Sequence, residues 1–133
     1  MTQKLTRYLF AFLPPVLWAA LIFLLSSYSV LPSFELSTLD FIFKKSAHMF
    51  VYAVLYWLLF RGVRISLNLK KSSLAPNTIN TYLLWLPLIL VFCYSLTDEI
   101  HQSFVPGRHG TLRDMGYDML GVLIVWLRKY QYI

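Results

Sequence analysis

The sequence predicts an all-α fold, an integral membrane four-helix bundle with both termini cytoplasmic. Three observations carry this. Of 133 residues, 58% are hydrophobic and only 14% charged, and the apolar residues gather in four runs at about 8–28, 45–62, 80–101 and 113–130. Each run approaches the roughly 20 residues a helix needs to cross the hydrocarbon. Eight of the twelve Lys and Arg fall in the three stretches that four spans would place on one side, and those stretches hold no acid. The remaining four cations share the other side with all six acids. Finally, the run DEIHQSFVPGRHGTLRDMGYD at residues 98–118 contains four of those six carboxylates. An acid at the bilayer centre costs roughly 2.5–3.5 kcal/mol on insertion scales, so acids gathered at helix ends mark a polar site at one surface.

The first span follows Lys4 and Arg7. Its length, its Pro14-Pro15 pair and the weak small-residue pattern after it (Ser27, Ser29) read as a retained helix rather than a cleaved leader. The double proline, and Pro87 in the third span, are expected to kink their helices, which a bundle tolerates. A loop carrying Glu35 and Asp40 leads to the second span. Residues 65–79 then form a polar loop with Ala75-Pro76-Asn77 as its turn signal. Cys93, the only cysteine, lies in an apolar run and is expected to pack as a small hydrophobe. No internal repeat is visible, and the length fits one domain.

Orientation follows the basic residues. Lys4, Arg7, Arg61, Arg64, Lys70, Lys71, Arg128 and Lys129 are assigned to the cytoplasm. Lys44, Lys45, Arg108 and Arg113 face outward with the six acids, a net charge of −2. Tyr8, Trp57, Tyr82, Trp85, Trp126 and Tyr130 fall near the proposed cytoplasmic ends, where amphipathic rings prefer the interface. The net charge of +6 would suggest nucleic acid in a soluble chain. Here basic loops against an anionic leaflet account for it, and no nucleic-acid partner is expected.

Three helices then present polar stripes at their outer ends. Lys45, His48 and Tyr52 fall at i, i+3 and i+7, within about 60° of one another at 100° per residue. Asp98, Glu99 and Gln102 occupy one arc of the third helix. Asp114, Asp118 and Gly121 share a face of the fourth, and Gly121 allows a neighbouring helix to approach closely. Pro106-Gly107 is a tight-turn signal that places Arg108 above the site, where its planar fork suits a carboxylate or a phosphate. Phe104 is expected to anchor this loop in the bundle or the outer leaflet. Ordinary structural readings exist for each residue. Asp98 and Glu99 would pair with Lys45 and Arg108; Asp114 would complement a helix macrodipole. His48 would be a hydrogen-bonded structural residue, Tyr52 a packing residue and Arg113 an interfacial anchor, with His101 and His109 solvated. Their occurrence together on three helices, on one side of a membrane, favours a site.

At these residues the chain resembles the VanZ-like family of small bacterial membrane proteins. A Lys-x-x-His-x-x-x-Tyr stretch matches Lys45, His48 and Tyr52. Asp-Glu-x-x-Gln-x-Phe-x-Pro-x-Arg matches Asp98, Glu99, Gln102, Phe104, Pro106 and Arg108. An Asp followed four residues on by Asn or Asp and then by glycine matches Asp114, Asp118 and Gly121. Family members often place an Asp just before the motif lysine; Lys44 stands there in this chain. The resemblance implies a multi-pass protein of the bacterial cell (inner) membrane, in a family named for low-level resistance to the glycopeptide teicoplanin; the charge asymmetry predicts that its site faces outward. The resemblance implies no established reaction.

Three functions compete. In the first, the outer pocket binds an anionic membrane lipid headgroup or a lipid-linked envelope precursor. Lys45 and Arg108 would contact phosphate, Gln102 and Tyr52 would supply hydrogen bonds, and the acids would orient the bases or receive an amine or sugar hydroxyl. In the second, the protein is an enzyme acting on a lipid-linked phosphate, with His48 as general acid or base oriented by Asp98 or Glu99. Asp98, Glu99, Asp114 and Asp118 are then candidate ligands for a divalent cation such as Mg²⁺ or Mn²⁺. In the third, the chain is a structural partner subunit of an envelope enzyme. The sequence leaves the cofactor, the ligand and the oligomeric state open.

Overall fold

The computed structural model describes residues 2–29, 37–67, 76–108 and 111–129. They form four helices: α1 Thr2–Ser27, α2 Ser37–Ser66, α3 Pro76–Ser103 and α4 Leu112–Lys129. Within the first three, Gln3–Ser27, Thr38–Ser66 and Asn80–Ser103 are long and apolar enough to cross a membrane. The fourth predicted span is a helix of 18 residues, but five of them are charged, so length and composition alone do not mark it as a span. Its packing sets it alongside α2. Lys45 meets Asp114, His48 meets Asp118, and Lys129 Nζ lies 4.8 Å from the centre of the Phe60 ring. The helix, about 27 Å long at 1.5 Å per residue, therefore runs parallel to α2 from Lys45 to Phe60. Successive helices alternate in direction. α2 and α3 each touch all three others, while α1 and α4 make no contact among the described residues.

Helix ends depart from expectation in two places. Asp40 lies in the first turn of α2 rather than in a loop, where Lys44 Nζ reaches its Oδ2 at 2.7 Å one turn on. Pro76 opens α3 instead of making a turn, because proline's fixed φ and missing N–H suit a first helical turn. Glu35, Lys70, Lys71, Ala75, His109 and Tyr130 lie outside the described residues.

α1 and α3 run unbroken through their prolines. Each proline lacks an N–H and leaves free the carbonyl four residues earlier. For Pro14 that is Phe10, whose oxygen accepts Arg61 Nη1 at 3.4 Å. For Pro15 it is Ala11, whose oxygen approaches Gly62 so closely that a Cβ there would sit 2.7 Å away. A neighbouring helix thus covers both carbonyls, as the bilayer requires.

Packing is apolar outward and mixed inward. Leu17, Phe50, Trp57 and Ile89 are more than half exposed, an apolar coat that lipid covers and water does not. Cys93 belongs to this outer surface rather than to the packed interior. Tyr8, Tyr82 and Trp85 are exposed as well. Inside, Ile22, Tyr52, Leu55, Tyr56, Val91 and Val122 form the core. Two bonds cross it: Trp18 Nε1 donates to the Val51 carbonyl at 2.9 Å, and Tyr94 Oη donates to that of Ala19 at 2.6 Å. At Gly121 a Cβ would fall 2.0 Å from the Met49 carbonyl oxygen. The close approach predicted there is the α2–α4 contact.

Candidate functional site

Among the described residues, six polar ones are buried, Ser26, Ser95, Asp98, Glu99, Gln102 and Asp118. All lie toward the end of the bundle where α1 and α3 finish and α2 and α4 begin. The i, i+3, i+7 stripe on α2 is a ladder, each rung ending on a carboxylate from another helix. Lys45 Nζ pairs with Asp114 Oδ1, His48 Nδ1 lies 3.0 Å from Asp118 Oδ1, and Tyr52 Oη donates to Asp98 Oδ2 at 2.9 Å.

The remaining bonds fix this ladder in place. Ser95 Oγ donates to Asp118 Oδ2 at 2.7 Å, so both oxygens of that fully buried carboxylate are engaged. Gln102 Nε2 donates to Asp98 Oδ2 at 2.9 Å and to Ser26 Oγ at 3.3 Å. The Thr111 N–H donates to Glu99 Oε2 at 2.7 Å. Thr111 itself caps α4, its hydroxyl accepting the Asp114 N–H at 3.3 Å. Glu99 therefore holds the start of α4 against the end of α3. One oxygen of each neighbouring acid, Asp98 Oδ1 and Glu99 Oε1, is buried without a hydrogen-bond partner.

The loop after α3 makes a type II turn over Val105–Arg108. Arg108 N donates to the Val105 carbonyl at 3.1 Å, and Gly107 has φ of 79°, a conformation glycine adopts without a steric penalty. The turn brings Arg108 Nη1 within 3.3 Å of the Ser26 carbonyl. Burial lowers the Arg108 pKa from its ordinary value, opposed by the nearby charges of Asp98 and Glu99. A guanidinium nevertheless stays charged in proteins. Phe104 is 80% exposed and does not anchor the loop in the bundle.

Two cavities meet at this loop. One, of about 290 Å³, is mostly apolar, with Ile22 and Leu25 of α1 facing Phe43, Ala47 and Val51 of α2. Ser26, Tyr52 and Asp98 also line it. The other, of about 210 Å³, is polar and bordered by Ser29, Lys45, Gln102, Gly107 and Asp114. Lys44, His48 and Arg108 border both. The family model described as VanZ/LLP1 matches residues 9–128. The chain belongs to that family. No curated protein and no solved structure matches it.

In this VanZ/LLP1 chain all nine predicted site residues lie at one end of the bundle, with partners that differ from several expectations. Asp118, not Asp98 or Glu99, holds His48. Lys45 pairs with Asp114 rather than Asp98 or Glu99, and Arg108 forms no ion pair with either acid. His101 is not simply solvated: its ring stacks on Phe23 at 4.3 Å, and its Nε2 lies 3.0 Å from Ser27 Oγ. The four carboxylates do not converge as one ligand set. Among the described residues, the group close enough to share an ion is His48, Glu99 and Asp118. Ser26 and Ser95 were missed in the sequence. Ser95 shares a face with Asp98, Glu99 and Gln102 at helical spacing, which is the one signal that could have found it.

Proposed function

We propose that the chain binds a phosphate-bearing membrane lipid, or a lipid-linked envelope precursor, at the outward face of the bacterial cell membrane. The observation that carries this reading is the junction of an apolar and a polar cavity at Arg108. An acyl or prenyl chain fits between α1 and α2, leaving its headgroup in the vestibule above. Lys44 and Lys45 there are already paired with Asp40 and Asp114. Among the described residues Arg108 has no carboxylate within ion-pair distance, and its guanidinium's one hydrogen bond is to a main-chain carbonyl. Its remaining donors suit a phosphate. The unpartnered Asp98 Oδ1 lies in a residue lining the apolar cavity, where it would accept from a ligand hydroxyl or amine.

A charge-assisted hydrogen bond contributes roughly 1.5–3 kcal/mol, so Arg108→Gln is expected to weaken binding of a phospholipid such as phosphatidylglycerol by about tenfold or more. Native mass spectrometry and lipid-dependent thermal shifts measure this. No co-purifying lipid and no lipid-dependent shift in the wild type, or an unchanged Arg108→Gln, would refute the reading.

The side of the membrane rests on charge. Lys4, Arg7, Arg61, Arg64, Arg128 and Lys129 lie toward the end opposite the acids, as a cytoplasmic end requires. With Cys93→Ser as background, a cysteine replacing Phe104 should react with an impermeant maleimide on intact cells. Reaction only after the membrane is opened would reverse the orientation.

A further inference from the structure

Glu99 is 95% buried, accepts one hydrogen bond at Oε2 and has no partner at Oε1. No cation lies within ion-pair distance of it among the described residues. Asp118 is fully buried beside it, with His48 as its only ion-pair partner among the described residues. Two buried carboxylates facing one imidazole leave negative charge that low-dielectric surroundings tolerate only when a proton or a further cation balances it. One donor atom from each of His48, Glu99 and Asp118 lies within 4.8 Å of the others. Three donors on one tetrahedral ion, at about 2.0–2.2 Å each, lie about 3.3–3.6 Å from one another. The three would close on an ion by movements of about 0.8 Å or less each.

We propose that His48, Glu99 and Asp118 bind one divalent transition-metal ion of the Zn²⁺ or Mn²⁺ class. The imidazole disfavours Mg²⁺ and Ca²⁺, which take oxygen ligands, and the carboxylates disfavour soft ions. Three protein donors leave a coordination position for water or a ligand. His48 borders both cavities, which gives the ion a path in. The residues around the ligands are already those a metal site uses. Ser95 holds the second oxygen of Asp118, and the Thr111 N–H holds the second oxygen of Glu99. The site stands apart from the lipid reading, because it needs no group of Arg108.

The test uses the whole chain in detergent, with Cys93→Ser, stripped by a chelator and titrated separately with Zn²⁺ and Mn²⁺ by calorimetry. At least one ion should bind one to one and raise the thermal midpoint. Glu99→Gln keeps the acceptor for Thr111 and should weaken binding at least tenfold. His101→Gln, which removes the other described histidine at this end, should leave it unchanged. His48→Gln serves as a second ligand variant and should also lose the ion. Absence of stoichiometric binding in the wild type overturns the proposal, as does undiminished binding in Glu99→Gln or His48→Gln, or an equal loss in His101→Gln. None of these outcomes alters the Arg108-dependent lipid binding, so the two readings fail separately.

Discussion

Gly121→Ala is expected to separate α4 from α2 and to destabilise the protein by about 3 kcal/mol or more, at or above the upper end of ordinary overpacking. The added Cβ would lie 2.0 Å from the Met49 carbonyl oxygen, 2.7 Å from its carbon and 2.8 Å from its Cα. Those atoms are main chain within α2, so no side chain can swing aside. Relief requires the two helices to part. Gly121 lies less than one turn from Asp118, so parting them also lengthens the His48–Asp118 contact. Gly116 supplies the control on the same helix, because nothing lies within 4 Å of a Cβ built there. Gly116→Ala should be neutral or stabilising by up to about 1 kcal/mol through helix propensity. Unfolding in mixed micelles compares the two. A Gly121→Ala protein as stable as Gly116→Ala would mean that α2 and α4 do not pack this closely.

These two glycines show how much of the fold the sequence discloses. The apolar runs and the positions sharing a face were readable, because helical periodicity is a local property. Lys45, His48 and Tyr52 do point inward together, and Gly121 does mark a close contact. What spacing does not contain is the depth at which one helix sits against another. A shift of one turn along α4 would move His48 from Asp118 to Asp114, with every stripe unchanged. The expectation that Asp98 or Glu99 holds His48 failed on an offset of the same kind, of α3 against α2: Asp98 meets Tyr52, one turn further along α2 than His48. His101 failed for a related reason, since its partners Phe23 and Ser27 belong to α1 and no pattern in α3 announces them. Helix ends misled where polarity and helicity diverge: α2 begins at Ser37, eight residues before its apolar run, with Asp40 and Lys44 paired on that extension. The Pro106-Gly107 turn was legible because its conformation demands those two residue types.

Asp118→Ala carries the other large expected effect, a loss of about 3–5 kcal/mol if His48 is charged in the wild type, the range for removing one partner of a buried ion pair. Asp118 is fully buried and accepts from helices on both sides, His48 of α2 and Ser95 of α3. Alanine removes both acceptors and leaves the Ser95 hydroxyl and the His48 Nδ1 without the carboxylate that each meets in the wild type. Asn keeps a carbonyl oxygen for one of them and should cost less, about 1–3 kcal/mol for the group left unsatisfied. His48→Ala is damaging in its own right, because it leaves a buried carboxylate whose remaining bond is to Ser95. Combining Asp118→Ala with His48→Ala removes both members at once, so the double variant should be more stable than the sum of the single losses predicts, with a coupling of about 0.5–3 kcal/mol. Strictly additive losses across the cycle, or a loss below about 1 kcal/mol for Asp118→Ala, would show that the His48–Asp118 contact is not what joins α2 to α4 at this level.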